Sequence, residues 1–193
     1  MEDRELINAA LKGDDQSFRR LVEKYESLVA STVIGMIGPG PEADDVGQET
    51  FIRLYQHLDK FRGDAKLSTF ITRIAINLSL NAIKRRKRSR LRFISIQQES
   101  APDIPDTAHH GYHEEKELVN RAIQQLTPQF RSVVLLRLIE GYSTSETAEI
   151  LQIPIGTVLS RLKRAQNKLK TILEPYYGVQ YEKKYPRPVA QVV

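Results

Sequence analysis

Apolar residues recur every three to four positions along nearly the whole chain, and no stretch alternates apolar with polar in the two-residue rhythm of a strand. That period restricts the chain to helices packed on helices. Phe18, Leu21, Val22, Tyr25, Leu28, Val29 and Val33 form one such stripe, following a capping residue at Asp14 or Asp15. Gly38-Pro39-Gly40-Pro41 stops it, because both residue types break helices. The pattern then predicts a second helix over about 42–58 and a turn at Phe61-Arg62-Gly63-Asp64. A third helix, capped by Ser68, should run into a basic stretch near Arg88.

Between about Ser89 and Tyr112 the period lapses. Pro102, Pro105 and a mixture of acidic and polar residues predict an interdomain linker there. Helical spacing resumes at Glu114, with Leu118, Val119, Ala122, Ile123 and Leu126 along one helix. Thr127-Pro128 supplies a cap and a proline at the first helical position, with Phe130, Val133, Val134 and Leu138 behind it and Gly141 just past the end. The expected fold is all-α: two small helical domains, residues 1–90 and 114–173, joined by a flexible linker over 91–113. From Glu174 onward, Pro175, Tyr176, Tyr177, Gly178, Tyr181, Tyr185, Pro186 and Pro188 show no period. Residues 174–193 therefore read as an extended or loosely ordered C-terminal extension.

A chain of 193 residues has room for two small cores. Lys and Arg number 29 against 24 Asp and Glu, a net charge of only +5, so the placement of positive charge matters more than its total. Cysteine is absent, which removes disulfides and thiolate metal sites, and His57, His109, His110 and His113 lack zinc-ligand spacing. No metal or other cofactor is expected. No apolar run approaches the ~20 residues that span a membrane, and Met1-Glu2-Asp3-Arg4-Glu5 lacks the basic and apolar blocks of a signal peptide. A soluble, cytoplasmic protein is expected. Neither a phosphate-cradling glycine loop nor a Ser/His/Asp signature occurs, so no catalytic residue is assigned and no enzyme is expected.

Residues 141–158 read as helix-turn-helix. Ser143 and Glu146 stand at capping-box spacing, Ala148, Ile150 and Leu151 supply a buried side, Ile153-Pro154 ends the first helix, and a second starts near Ile155. At 100° per residue, Ile155, Val158, Leu159, Leu162, Ala165, Leu169 and Leu173 fall on the core side of that second helix. Thr157, Ser160, Arg161, Arg164, Asn167 and Lys168 face outward. Such a face suits a major groove, where Arg donates two bonds to guanine and hydroxyls or amides reach bases and phosphates. An ordinary solvated face carries similar residues, and the motif alone fits any DNA-binding regulator.

On the second helix, Asp45, Gln48, Glu49 and Ile52 share an arc beside the buried stripe of Phe51, Leu54, Tyr55 and Leu58. An isoleucine among acidic and amide groups reads equally as a contact surface or a solvated face. The third helix is apolar through Phe70, Ile71, Ile74, Ala75 and Leu78. Across from these, Arg73, Asn77, Leu80 and Lys84 lead into Lys84-Arg85-Arg86-Lys87-Arg88, with Arg90 and Arg92 beyond. So many like charges repel unless a polyanion lies beside them, which favours nucleic acid over a solvated run or a membrane-surface patch.

Three strings in order carry a family resemblance. Asp44-Asp45-Val46-Gly47-Gln48-Glu49-Thr50-Phe51-Ile52-Arg53-Leu54-Tyr55 resembles the polymerase-binding segment of region two in the sigma-70 family. Phe61-Arg62-Gly63-Asp64 with Thr69 to Asn77 and the basic run resembles its melting and minus-ten-reading segment. Gly156 to Ala165 resembles region four. The likeness spans about Asp14 to Leu173; region one and the third sigma domain are missing, which points to the extracytoplasmic-function group.

The resemblance implies a non-enzymatic specificity subunit whose partners are core RNA polymerase, promoter DNA and an anti-sigma protein. Asp45, Gln48, Glu49 and Ile52 would dock on the clamp of the polymerase's large subunit. The loop from Phe61 to Leu67 would pocket a base flipped from the nontemplate strand. Phe61, Arg62, Arg73, Asn77, Lys84, Arg85 and Arg88 would bind minus-ten DNA. Thr157, Ser160, Arg161, Lys163, Arg164 and Lys168 would bind the minus-thirty-five element. At Leu159 many relatives carry a basic residue that touches DNA, and Pro154 stands where a serine cap is common. Two other readings stay open on the residues alone: a stand-alone helix-turn-helix regulator that works without polymerase, and a helical interaction adaptor.

Overall fold

Asp14 accepts hydrogen bonds from the Gln16 N–H at 3.1 Å and the Ser17 hydroxyl at 2.6 Å, which starts helix α2 (Asp15–Ile37) where the sequence placed a cap. In the computed structural model, which describes residues 2–63, 65–94 and 112–184, every regular element is helical. Helix α1 (Asp3–Leu11) precedes α2 and has no counterpart in the sequence reading. It is short, its Glu5 carboxylate accepts from the Glu2 N–H at 3.1 Å, and it buries Leu6, Ile7 and Ala10. Gly38, at φ +82°, returns its N–H to the Ile34 carbonyl and ends α2.

Pro41 opens α3 (Pro41–Gln56), a short 3-10 turn follows at Leu58–Lys60, and α4 runs over Leu67–Ile94. The expected cap Ser68 therefore lies inside the first turn of α4. The helix also continues past Ser89 to Ile94, where Arg and Leu are good helix formers. Leu21, Val33, Met36, Leu54, Ile71, Ala75 and Ile76 form the fully buried centre of this first bundle. The expected linker's prolines, with His109 and His110, lie outside the described residues.

The second bundle comprises α5 (Tyr112–Gln125), α6 (Pro128–Val134), α7 (Thr144–Leu151) and α8 (Ile155–Lys184). After α6 the chain makes one π-helical turn, Leu135–Ile139. The extra residue in that turn rotates the apolar face, so Leu135 and Leu136 are buried while Leu138 and Ile139 are exposed. Leu138 was expected in the core and is corrected on that ground. A second correction concerns the C-terminal extension: α8 is helical through Lys184, with Pro175 inside it. Proline forfeits one backbone bond there, to the Thr171 carbonyl, but Thr171 is exposed and its carbonyl can turn to water. Residues 185–193, with Tyr185, Pro186 and Pro188, lie outside the described residues.

The two bundles pack on one another. Ile123, Leu126, Val134 and Ala165 form one cluster of the second bundle, and Val133, Ala148 and Val158 another. Leu135, Leu136, Tyr142 and Ile150, however, join the core of the first. Gly35 makes this approach possible: a Cβ there would stand 2.5 Å from Leu135 Cδ1.

Candidate nucleic-acid interface

The α3 arc is turned outward as expected. Asp45, Gln48 and Ile52 are exposed, Glu49 is half-exposed, and Glu49 holds Arg53 one turn on at 2.8 Å. Tyr55, expected in the buried stripe, is 51% exposed and lies beside Ile52, although its ring meets Phe18 edge-on at 4.9 Å. One helix face thus joins carboxylates, an amide and two large apolar side chains.

Between α3 and α4, the loop after Lys60 places Arg62 in solvent, while Phe61 is half-buried edge-on to Phe70, with ring centroids 5.6 Å apart. Phe61 thus anchors the loop to the bundle. Asp64 lies outside the described residues. Along α4, Asn77, Lys84, Arg85 and Arg88 are exposed, Arg73 is partly so, and Leu80 turns back onto the core. Arg85 and Arg86 both bind Glu42, Arg85 at 2.8 Å, and Arg86 also donates to the Ile37 carbonyl at 3.0 Å. Burial acts to raise the Glu42 pKa, but these two guanidiniums outweigh it and hold the carboxyl below its ordinary value. They fasten the basic face of α4 to the ends of α2 and α3.

The helix-turn-helix is built as its sequence indicates. The Ser143 hydroxyl accepts from the Glu146 N–H at 3.1 Å, and the Glu146 carboxylate accepts from the Ser143 N–H at 2.9 Å. That backbone bond, then the Ser143 hydroxyl and Lys66, draw the Glu146 pKa down to about 2. Gln152, at φ +53°, makes the turn, and α8 begins at Ile155. On α8, Ser160, Lys163, Arg164 and Lys168 are exposed, and Thr157 and Arg161 are partly so. Lys168 lies over the Phe130 ring at 5.3 Å. Val158 and Ala165 are fully buried, but Ile155 and Leu159 are 52% and 53% exposed and are corrected from core to surface. They lie one turn apart on the edge of α8 turned away from Val158, the side chain that meets Val133 of α6 in the core.

Sequence reasoning missed the polar side chains that join the bundles. Arg131 is buried and donates to the carbonyls of Ile123, Gln124, Leu126 and, across the boundary, Met36. Burial lowers its pKa. Gln124 donates to the Gly35 carbonyl at 2.7 Å. A buried hydrogen bond of 2.9 Å links the Thr72 and Tyr142 hydroxyls. At the edge of the boundary, Arg73 meets Glu149 and Lys66 meets Glu146, each at 3.2 Å. No metal-binding cluster occurs among the described residues, nor is any described helix long and apolar enough to cross a membrane.

Two family models match the chain: sigma-70 region 2 over residues 21–89 and sigma-70 region 4 over 116–169. The RNA polymerase sigma-H factor of Pseudomonas aeruginosa is 34% identical over 184 residues, covering 90% of this chain and 95% of the relative. The ECF RNA polymerase sigma-E factor of Escherichia coli K12 is 33% identical, covering 91% and 96%. The chain belongs to the sigma-70 family, in its extracytoplasmic-function group. As a sigma factor it directs RNA polymerase to promoters. Region two then comprises α2 to α4, and region four comprises α5 through most of α8. A stand-alone regulator has no need of a region-two domain, so that reading is not favoured.

The sigma fold extends to solved structures. CnrH in complex with the cytosolic domain of CnrY matches with a TM-score of 0.66 at 25% identity, covering 90% of this chain and 98% of that one. The sigma factor RpoE of Bartonella quintana, in complex with the anti-sigma factor NepR, gives the same TM-score at 21% identity over 82% and 98%.

Proposed function

We propose that this sigma factor works by three separate surfaces, each on its own helix. The α3 arc of Asp45, Gln48, Glu49 and Ile52, with Tyr55 added, docks on core polymerase. The loop from Phe61 to Leu67, with Arg62 on it, and the α4 face of Arg73, Asn77, Lys84, Arg85 and Arg88 hold the opened minus-ten region, with Phe61 as the loop's anchor. Capture of an unstacked strand there offsets the cost of melting through stacking and phosphate neutralisation. Thr157, Ser160, Arg161, Lys163, Arg164 and Lys168 read the minus-thirty-five element in a major groove.

The reading rests on one observation: a basic helix and a helix-turn-helix occupy separate domains of a chain that matches both sigma regions. No covalent chemistry belongs to the chain itself, and it acts in the cytoplasm, where polymerase and promoter are. A protein partner of the anti-sigma class fits the exposed apolar side chains of both domains, Ile52 and Tyr55 on α3 and Leu138 and Ile139 beside α6. In vitro transcription with core polymerase on a library of promoter fragments tests the whole. Specific, chain-dependent start sites are expected; their absence from every template, with folded and uninhibited chain, would overturn it.

A further inference from the structure

One end of the region-two face assigned to the minus-ten strand, around Arg73 and Lys66, is covered in this structure, while Asn77, Lys84, Arg85 and Arg88 stay exposed. Helix α7 lies along it with two carboxylates facing two cations: Glu149 against Arg73 and Glu146 against Lys66, each at 3.2 Å. The same two carboxylates form one wall of a cleft of about 460 Å³ whose other wall is Gly63, Ala65, Lys66 and Thr69. That other wall is the loop and first turn of α4 proposed to receive an unstacked base. Carboxylates stand where a strand would bring phosphates.

The ion pairs are partly exposed and hold little alone. The adhesion lies behind them, in the buried Thr72–Tyr142 bond and the close packing of Gly35 on Leu135. The recognition face of α8, by contrast, keeps Ser160, Lys163 and Arg164 exposed.

We propose that α7 is an internal stand-in for the nontemplate strand, so that region four and single-stranded promoter DNA compete for one surface of region two. The proposal rests on the assignment of Arg73 and the loop after Lys60 to strand binding. In the free sigma factor the Arg73 and loop end of the minus-ten surface is occupied by the chain's own region four, and only the opened form takes the strand there. Apparent affinity for single-stranded DNA is then lowered by the fraction of chain that is open, about tenfold if one molecule in ten is open.

The absence of native cysteine allows two dyes to be placed, at Glu23→Cys and Lys170→Cys, both exposed and on different domains. Energy transfer between them reports closure. Gly35→Leu puts a branched side chain where Leu135 stands, while α2 itself prefers Leu to Gly. It should lower energy transfer and raise the affinity of the full-length chain for a mixed-sequence single strand of about 20 nucleotides by roughly tenfold. Glu149→Ala should raise it about two- to fivefold. Saturating the wild-type chain with that strand should lower energy transfer to the Gly35→Leu value.

An opened Gly35→Leu chain with unchanged strand affinity would overturn the proposal, as would strand-saturated wild type that stays closed. Circular dichroism reports whether Gly35→Leu folds; if it does not, Tyr142→Phe, which removes the Thr72 bond and keeps the ring, takes its place with the same expectations. Arg73→Ala in the opened variant separates the two layers of the argument. A several-fold loss of strand binding upholds the strand assignment, and no loss would overturn that assignment together with the proposal.

Discussion

Thr32 of α2 stands 2.6 Å from the Glu140 carboxyl of the second domain and 2.8 Å from the Leu28 carbonyl of its own helix. A hydroxyl has one hydrogen. If it goes to Leu28, the contact to Glu140 is a hydrogen bond only when the carboxyl carries a proton and donates. The second Glu140 oxygen is buried without a partner, and burial, offset in part by Thr32, raises the Glu140 pKa from an ordinary 4.5 to about 7. The Glu140 charge also acts on the Tyr142 hydroxyl, which is pushed up chiefly by its own burial.

A carboxyl whose pKa is raised by folding binds its proton more tightly in the folded chain than in the unfolded one. Stability should therefore be greatest below the ordinary value and fall as pH rises through about 7, by at most about 1.4 kcal/mol per pH unit. Melting temperatures between pH 5.5 and 8.5 should decline for wild type more steeply than for Glu140→Gln, which keeps a neutral donor. Parallel slopes would remove Glu140 as the titrating group.

Arg131→Met should destabilise the chain by about 3–5 kcal/mol, because four buried or part-buried carbonyls from two domains lose the guanidinium that donates to them. Arg131→Lys should recover little, since an ammonium cannot fan across four acceptors. Urea denaturation checks both, and a cost below about 1 kcal/mol would mean that water replaces the guanidinium.

Much of this was legible in the sequence where the cause is local. Asp14, the Gly38–Pro41 stop and the Ser143–Glu146 box each act within four residues, and each appears where expected. The outward arcs of α3 and α4 follow from helical angle except at Tyr55, expected buried but exposed, and Leu80, expected outward but packed on the core. What escaped depends on partners distant in the chain or on a shift of register. Helix α1 has only three core residues and is too short to show a period. Leu138 is turned outward by a single π turn, and Ile155 and Leu159 are exposed because α6 and α7 close on the neighbouring Val158 edge of α8. Arg131 reads as one more surface cation until α2, α5 and the turn after α5 bring four carbonyls to it. The packing of region four on region two hangs on Gly35 and Leu135, a pair 100 residues apart that leaves no periodic trace.

On the docking face, Asp45→Arg should weaken association with core polymerase by about tenfold or more through charge reversal at an exposed position, leaving the fold intact. Ile52→Ala should weaken it through lost apolar contact, and Tyr55→Ala likewise, since Tyr55 shares that exposed face. Holoenzyme formation measured by native mass or fluorescence polarisation tests each; unaltered affinity in all three would move the docking surface elsewhere.

On the recognition helix, Arg164 and Leu159 should carry different kinds of information. Arg164 is exposed, one turn past Ser160, and Arg164→Ala should cost about 1–3 kcal/mol if it makes a two-bond contact with guanine. Leu159 has no hydrogen-bonding group, but it is half-exposed beside Ile155 at the leading end of α8. An apolar side chain in a major groove distinguishes thymine by its methyl group. Leu159→Ala should therefore relax a thymine preference at one upstream position by about 1–2 kcal/mol. Substituting uracil, which lacks the methyl, should cost wild type the same amount and the variant nothing. Selection from a randomised upstream element, scored for wild type and both variants, separates the two effects, and a Leu159→Ala profile identical to wild type would return that residue to a packing role.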